Sequence, residues 1–196
     1  MANLTEFRSK LIGGGARPNL FEVQLSFPDA LGIGNRTKLV ELGKFMVKAA
    51  NMPASQLGVI EVPYRGRTLK VAGDRTFEPW TITIVNDTNF ALRNAFEQWV
   101  RRINRPEQNT GKQNPASYQS DMFVTQLDRK GKGIKTYQFY SVFPTNVSAI
   151  DLAFDSNDTI EEFTVELQVQ WWEKAKLENS EDKDDNSDDG DDSDED

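Results

Sequence analysis

Few residues in this chain are equipped for chemistry. The 196-residue sequence contains no histidine and no cysteine. It therefore lacks the commonest general base, the commonest transition-metal ligand and every thiolate nucleophile. Ser-His-Asp triads, Cys-His dyads, zinc hydrolases and disulfides are excluded by composition. Carboxylate-pair and magnesium-dependent chemistries survive that filter and must be judged by motif. GGGARPN at Gly13–Asn19 lacks the GxxxxGK(S/T) spacing of a phosphate loop, and GKGIKT at Gly131–Thr136 lacks both that spacing and a following helix. The DNSDDG run at Asp185–Gly190 superficially resembles a calcium loop. However, Ser187 fills a ligand slot and no amphipathic helices flank the run. The expectation is a non-enzyme with no catalytic, cofactor-binding or metal site.

The net charge of −8 is an average over two unlike parts. From Glu178 to Asp196 twelve Asp/Glu stand against the single Lys183, a charge of −11. The remainder carries nineteen acidic and twenty-two basic residues, or +3. Residues 1–177 are therefore read as one β domain. Residues 178–196 are read as a disordered acidic tail, because so polar a segment cannot bury enough apolar surface to offset its ordering entropy. Met1–Lys10 has no apolar signal core and no apolar run is long enough to span a bilayer, so a soluble, cytoplasmic site of synthesis is expected.

The body reads mostly as strands. Phe21, Val23, Leu25 and Phe27 alternate with Glu22, Gln24 and Ser26, the period of a half-buried strand. Leu39–Ala50 is a second strand candidate, ended by Asn51-Met52-Pro53. Short runs at Gly58–Val62 and Thr68–Ala72 flank the turn-like Tyr64-Arg65-Gly66, and Trp80–Val85 is rich in β-branched residues. A single helix follows, with Asp87 or Thr88 at its start and Leu92, Phe96, Trp99, Val100 and Ile103 at helical spacing; Pro106 stops it. Met122–Leu127 and Ile134–Phe143 form a hairpin around the basic turn Arg129–Lys132. Val147–Phe154 and Thr159–Trp171 form another pair. The fold class is mainly β: two packed antiparallel sheets, sandwich- or barrel-like, with one flanking helix. Strand edges of such a sheet must close, be covered or find a partner.

A family resemblance enters at VAGDRTFEPW, Val71–Trp80. Together with ARPNLFEV (Ala16–Val23), WTITIVND (Trp80–Asp87), FPTNV (Phe143–Val147), LAFDSN (Leu152–Asn157) and the ending EEFTVELQVQWWE, it resembles the tail tube proteins of T-even-like contractile bacteriophages. The blocks occur in the family's order from Ala16 to Glu173. The stretch Leu31–Lys38 looks longer than the family pattern, and the acidic tail looks like an addition to it. The resemblance implies a structural virion protein forming hexameric rings in which neighbouring sheets join into an inner barrel. Those rings stack into a tube surrounded by a tail sheath protein and started by baseplate initiator proteins. A tape measure protein would set its length, and viral DNA would pass through it on ejection. It also implies that the loop Asn51–Phe77 lies near contacts between stacked rings. Interfaces favour arginine and aromatics, so Tyr64, Arg65, Arg67, Arg75 and Phe77 are the expected contact residues.

Trp80 and Trp99 fall on apolar strand and helix faces and are read as core. Trp171 and Trp172 are adjacent, so in a strand one of them must leave the main core; Trp172 joins the expected contacts. Two alternatives to the tube subunit stay open on sequence. One is a baseplate tube-initiator of the same fold; the other is a single-stranded DNA-binding barrel with an acidic regulatory tail. The tail itself has three readings: a solubility device, a DNA-repelling lining near the channel, or a docking peptide.

Overall fold

The computed structural model describes residues 3–11 and 15–175. The acidic tail expected at 178–196, the calcium-like stretch 185–190 within it, and part of the glycine-rich lead-in lie outside the described residues.

Alternation dictates the strands and their pairing. Strand β1 (Phe21–Gln24) pairs antiparallel with β8 (Ser120–Leu127), which pairs with the long β9 (Gly133–Val147). The last strand, β11 (Trp171–Ala175), lies on the other side of β9. The far end of β9 leaves this layer and pairs with β10 (Glu162–Gln168), which is followed in space by β5 (Trp80–Val85) and β2 (Val47–Ala50). One strand thus belongs to two four-stranded layers, and no closed barrel results. At the transition Ser141 adopts a positive φ of 55°, and its N–H, taken out of the ladder, is donated to Asp121 Oδ1 at 3.0 Å.

Between the layers lies an apolar core with Val23, Met122, Val124, Phe139 and Val142 on one side and Trp80, Ile82, Ile84, Phe163, Val165 and Leu167 on the other. The indole of Trp80 stacks on Phe139 at 4.2 Å between centroids and 18° between planes, which ties the two layers together. Its N–H would be an unsatisfied donor in such a place; it donates to the Asn51 carbonyl at 2.9 Å.

The helix expected after Asp87 is α3 (Ala91–Ile103). Asp87 Oδ1 accepts the Ala91 N–H at 2.8 Å, which satisfies one first-turn donor. Leu92, Ala95, Phe96 and Trp99 face inward, and Phe27 meets Phe96 and Trp99 at centroid distances of 5.4 and 5.6 Å. Val100, expected on that face, is instead exposed.

Four expectations are corrected. Leu39–Ala50 is not one strand: it is mostly α2 (Arg36–Met46), running directly into β2. Leu39 and Gly43 are one turn apart and both face inward, and Gly43 sits against Leu25, where an added Cβ would stand 2.7 Å from Leu25 Cδ1. There are also three described helices rather than one, since α1 (Leu4–Lys10) precedes the body with no buried residue. Nor is Val147–Phe154 a strand. Ser148 exchanges bonds with Thr164, after which Asn86 takes the Glu161 carbonyl, so residues 148–161 have no edge to pair with. The last strand likewise breaks at Gln170, with Phe163, Val165, Leu167 and Val169 buried before it and Trp171 beginning β11.

Trp80→Ala should remove both the interlayer stack and the Asn51 bond. An equilibrium denaturation experiment should show a loss of about 3–5 kcal/mol, the usual cost of a large aromatic deleted from a core.

Candidate assembly surface

Described side chains form no enclosed reaction site; the surface is where the structure is unusual. Strands β3 (Ser55–Tyr64) and β4 (Arg67–Phe77) pair only with each other and form a two-stranded ribbon standing off the sandwich. The Gly58–Val62 and Thr68–Ala72 runs expected from sequence are its middle. The turn places Arg65 at φ 45° and Gly66 at φ 81°, the two positive values that a two-residue type I′ turn requires. Near the base, a register shift brings the backbones close: a Cβ on Gly73 would stand 3.2 Å from the Gly58 carbonyl.

Register decides what each ribbon face carries. Ile60 is opposite Val71, Val62 opposite Leu69 and Tyr64 opposite Arg67, so Ile60, Val62, Tyr64, Leu69 and Val71 share one face, with Arg67 at its tip end. Glu61 is opposite Lys70 on the other face, where the pair forms a surface ion pair at 3.6 Å. All six members of the first face are exposed, and five of them are apolar or aromatic. Isolated two-stranded hairpins are marginal in water, and an uncovered apolar face on one is a binding surface or a liability.

The expected contact residues divide into two groups. Tyr64, Arg65 and Arg67 gather at the exposed tip, where the Arg65 guanidinium lies 5.4 Å from the Tyr64 ring centroid. Arg75, opposite Leu57, is exposed near the base. Phe77 and Trp172 instead fasten the ribbon to the sandwich. Their rings meet edge-on at 6.0 Å, Trp172 packs on Tyr137 at 5.3 Å, and its N–H donates to the Ala54 carbonyl at 3.2 Å. The neighbour, Trp171, is the more exposed of the tandem pair, stacked on Tyr140 at 3.8 Å.

Two further features lie outside the six named contact residues. Residues 148–161 form a loop clamped at both ends: Arg93 Nη1 donates to the Ser148 carbonyl at 3.0 Å, and Asn86 Nδ2 donates to Glu161 Oε2 at 3.0 Å. Between the clamps Leu152, Phe154 and Ile160 are exposed, Phe154 fully so. Their signal was present in the sequence, where Ile150, Leu152 and Phe154 alternate, but that period was assigned to a buried strand. The second feature is the set of open edges: among the described residues β1, β2 and β11 each have a strand partner on one side only. Edges of this kind accept strands from another chain.

Trp80 and Trp99 are buried, so the stacking platform of a single-strand binder is not available at either. Among the described residues no group of three or more Asp or Glu is placed to hold a metal ion, and no helix is long and apolar enough to cross a membrane.

This architecture is shared by chains of contractile injection systems. Over 90% of the chain and 100% of the other, it superposes on a chain of an extracellular contractile injection system sheath-tube complex in the extended state, with TM-score 0.56 and 16% identity. A chain of the anti-feeding prophage baseplate gives TM-score 0.59 and 15% identity over 84% of this chain and 98% of that one. The model of the family described as phage tail tube protein matches residues 16–175. The tail tube protein of Serratia phage KSP90 is 34% identical over 170 residues, covering 86% of this chain and 94% of the relative. Tail tube protein gp19 of Enterobacteria phage T4 is 35% identical over 163 residues, covering 82% and 93%. The chain belongs to the phage tail tube protein family, whose members are structural components of the virion tail and not enzymes. The match stops at Ala175, short of the acidic segment, and begins after α1.

Two predictions follow from the ribbon's anchorage. Trp172→Ala should loosen β3 and β4 from the body. Their amide exchange should accelerate about threefold to tenfold, the equivalent of one aromatic contact, while β8 and β9 hold their rates. Tyr140 donates to Glu173 across the β9–β11 pair, and that bond, with desolvation second, pushes its phenol up to about 12 from 10.0. Because folding raises this value, the contact's contribution is fully present below pH 10 and is lost as pH rises through about 12. Absorbance titration should show one of the four tyrosines ionising late, and Glu173→Gln should bring it back toward its ordinary range.

Proposed function

We propose that the chain is the repeating subunit of a bacteriophage tail tube: six copies close into a ring through their open strand edges, and rings stack through the β3–β4 ribbon. The observation that carries this reading is the apolar patch of Ile60, Val62, Tyr64, Leu69 and Val71 on that ribbon, flanked by Arg67, which no described part of the same chain covers. A face of that kind, on a ribbon too thin to have its own core, needs a second copy to bury it. The tip arginines Arg65 and Arg67 and the exposed Arg75 then supply polar contacts around an apolar centre, the usual division of a protein interface. Edges β1, β2 and β11 supply strand pairing within the ring. The loop carrying Leu152, Phe154 and Ile160 adds apolar area at the subunit surface.

In this reading no group on the chain reacts; the mechanism is geometric. Ring closure and stacking produce a channel through which viral DNA passes on ejection. The tail sheath protein lies outside it, baseplate initiator proteins start it, and a tape measure protein sets its length, with assembly in the host cytoplasm. Membership of the tail tube family supports this sequence of roles.

Negative-stain electron microscopy of the purified protein should show rings or tubes, alone or after adding baseplate initiators. Strictly monomeric protein at every concentration and salt, even with those initiators, contradicts the proposal. Val62→Asp together with Leu69→Asp places two carboxylates on the apolar face. At ~1.5 kcal/mol or more per lost side chain, the assembly threshold should rise about a hundredfold or more, with unchanged monomer circular dichroism. Thr68→Asp, on the opposite face, should assemble nearly as the parent does.

A further inference from the structure

Beyond the family-matched residues lies the acidic segment 178–196, and the register of the last strand says where it starts. Strand β11 runs antiparallel to β9, from Trp171 opposite Tyr140 to Ala175 opposite Thr136. It therefore travels toward the start of β9 and the basic β8–β9 turn. Arg129, Lys130, Lys132 and Lys135 are all exposed there, and among the described residues none is in a salt bridge.

The one acid in the turn is already employed. Asp128 Oδ1 accepts the backbone N–H of Lys132 at 2.8 Å and of Lys130 at 2.7 Å, which shapes the loop. Those bonds, the one from Lys132 foremost, hold its carboxyl below the ordinary range. The turn thus keeps an excess of cations, and its lysines and Arg129 point to solvent rather than to Asp128.

We propose that the basic β8–β9 turn is a docking site for the chain's own acidic segment, residues 178–196. Three arguments carry it. First, charge: a segment of −11 follows β11 by two residues, and the turn offers four exposed cations that have no salt bridge among the described residues. Second, direction: at a strand rise of roughly 3.3 Å per residue, an extended continuation of β11 brings Glu178 level with Gly133 and the next acids level with the turn. Third, tethering: a linker of two residues, Lys176 and Leu177, makes the encounter intramolecular at an effective concentration on the order of millimolar. Docking neutralises the turn, so the full chain offers polyanions and acidic partners less basic surface than the family-matched body alone. This inference does not depend on how, or whether, the subunits polymerise.

A carbodiimide that couples carboxylates directly to lysine amines tests the proposal on the full chain. Cross-linked peptides are mapped by mass spectrometry in a mixture of isotopically labelled and unlabelled protein. At low salt, carboxylates of 178–196 should couple to Lys130, Lys132 and Lys135 about fivefold or more in excess over Lys44, Lys70 and Lys112, within one copy. That excess should vanish at about 1 M salt, where the screening length is about 3 Å. Even coupling across all lysines, a preference for the distant ones, absence of tail cross-links, insensitivity to salt, or links found only between copies would each overturn it.

Discussion

Everything outside the sandwich depends on the fact that the sandwich is complete without it. Strand β9 serves both layers, and the Trp80–Phe139 stack closes the space where they diverge. Phe27, Phe96 and Trp99 seal the flank beneath α3, and the buried indole donors of Trp80 and Trp99 are both satisfied by carbonyls. A subunit that meets its core requirements from within is free to leave apolar groups on its surface for a second purpose. The ribbon, the open edges and the 148–161 loop are those groups.

The ribbon is the clearest of these because its two faces differ. The Glu61–Lys70 pair occupies the middle of one side, whereas the middle of the other is Ile60, Val62, Leu69 and Val71, with charge only at its tip, at Arg67. Its base is fixed by Phe77 and Trp172, so the tip is held at a defined angle rather than trailing from the body. A rigidly presented face loses less conformational freedom on contact, which makes each buried group count for more. Edge strands follow a related logic. Natural monomers blunt their edges, and Lys48 on β2 is such a charge, yet it is already engaged by Glu162 at 2.6 Å. The family to which the chain belongs is one of structural components of the virion tail.

Much of this was legible in the sequence, for reasons that can be located. The pattern at Phe163–Val169 and the spacing of Leu92, Phe96 and Trp99 each fit one period only, and the structure follows both. Leu39–Ala50 failed because two elements meet there without punctuation: α2 runs into β2 with no cap residue or proline between, and Gly43 argues against a helix unless its closeness to Leu25 is known. Ile150, Leu152 and Phe154 alternate as a strand would, but alternation says nothing about whether a neighbouring edge is free. That Tyr64, Arg65 and Arg67 gather at one turn follows from the turn-like Tyr64-Arg65-Gly66 between two strand-like runs. What sequence could not supply was the register that puts Ile60, Val62, Leu69 and Val71 on one side, nor the inward turn of Trp172 that leaves Trp171 outside.

The acidic segment and the ribbon are independent additions to one core, the first outside the family match and the second within it. We propose that the apolar patch of the ribbon is buried by another copy. An electron cryomicroscopy reconstruction of the assembled protein, at a resolution that shows side chains, tests this most directly. The account predicts Ile60, Val62, Leu69 and Val71 packed against a neighbouring subunit. A tube in which that face is bare to solvent, with all contacts made elsewhere, would contradict it.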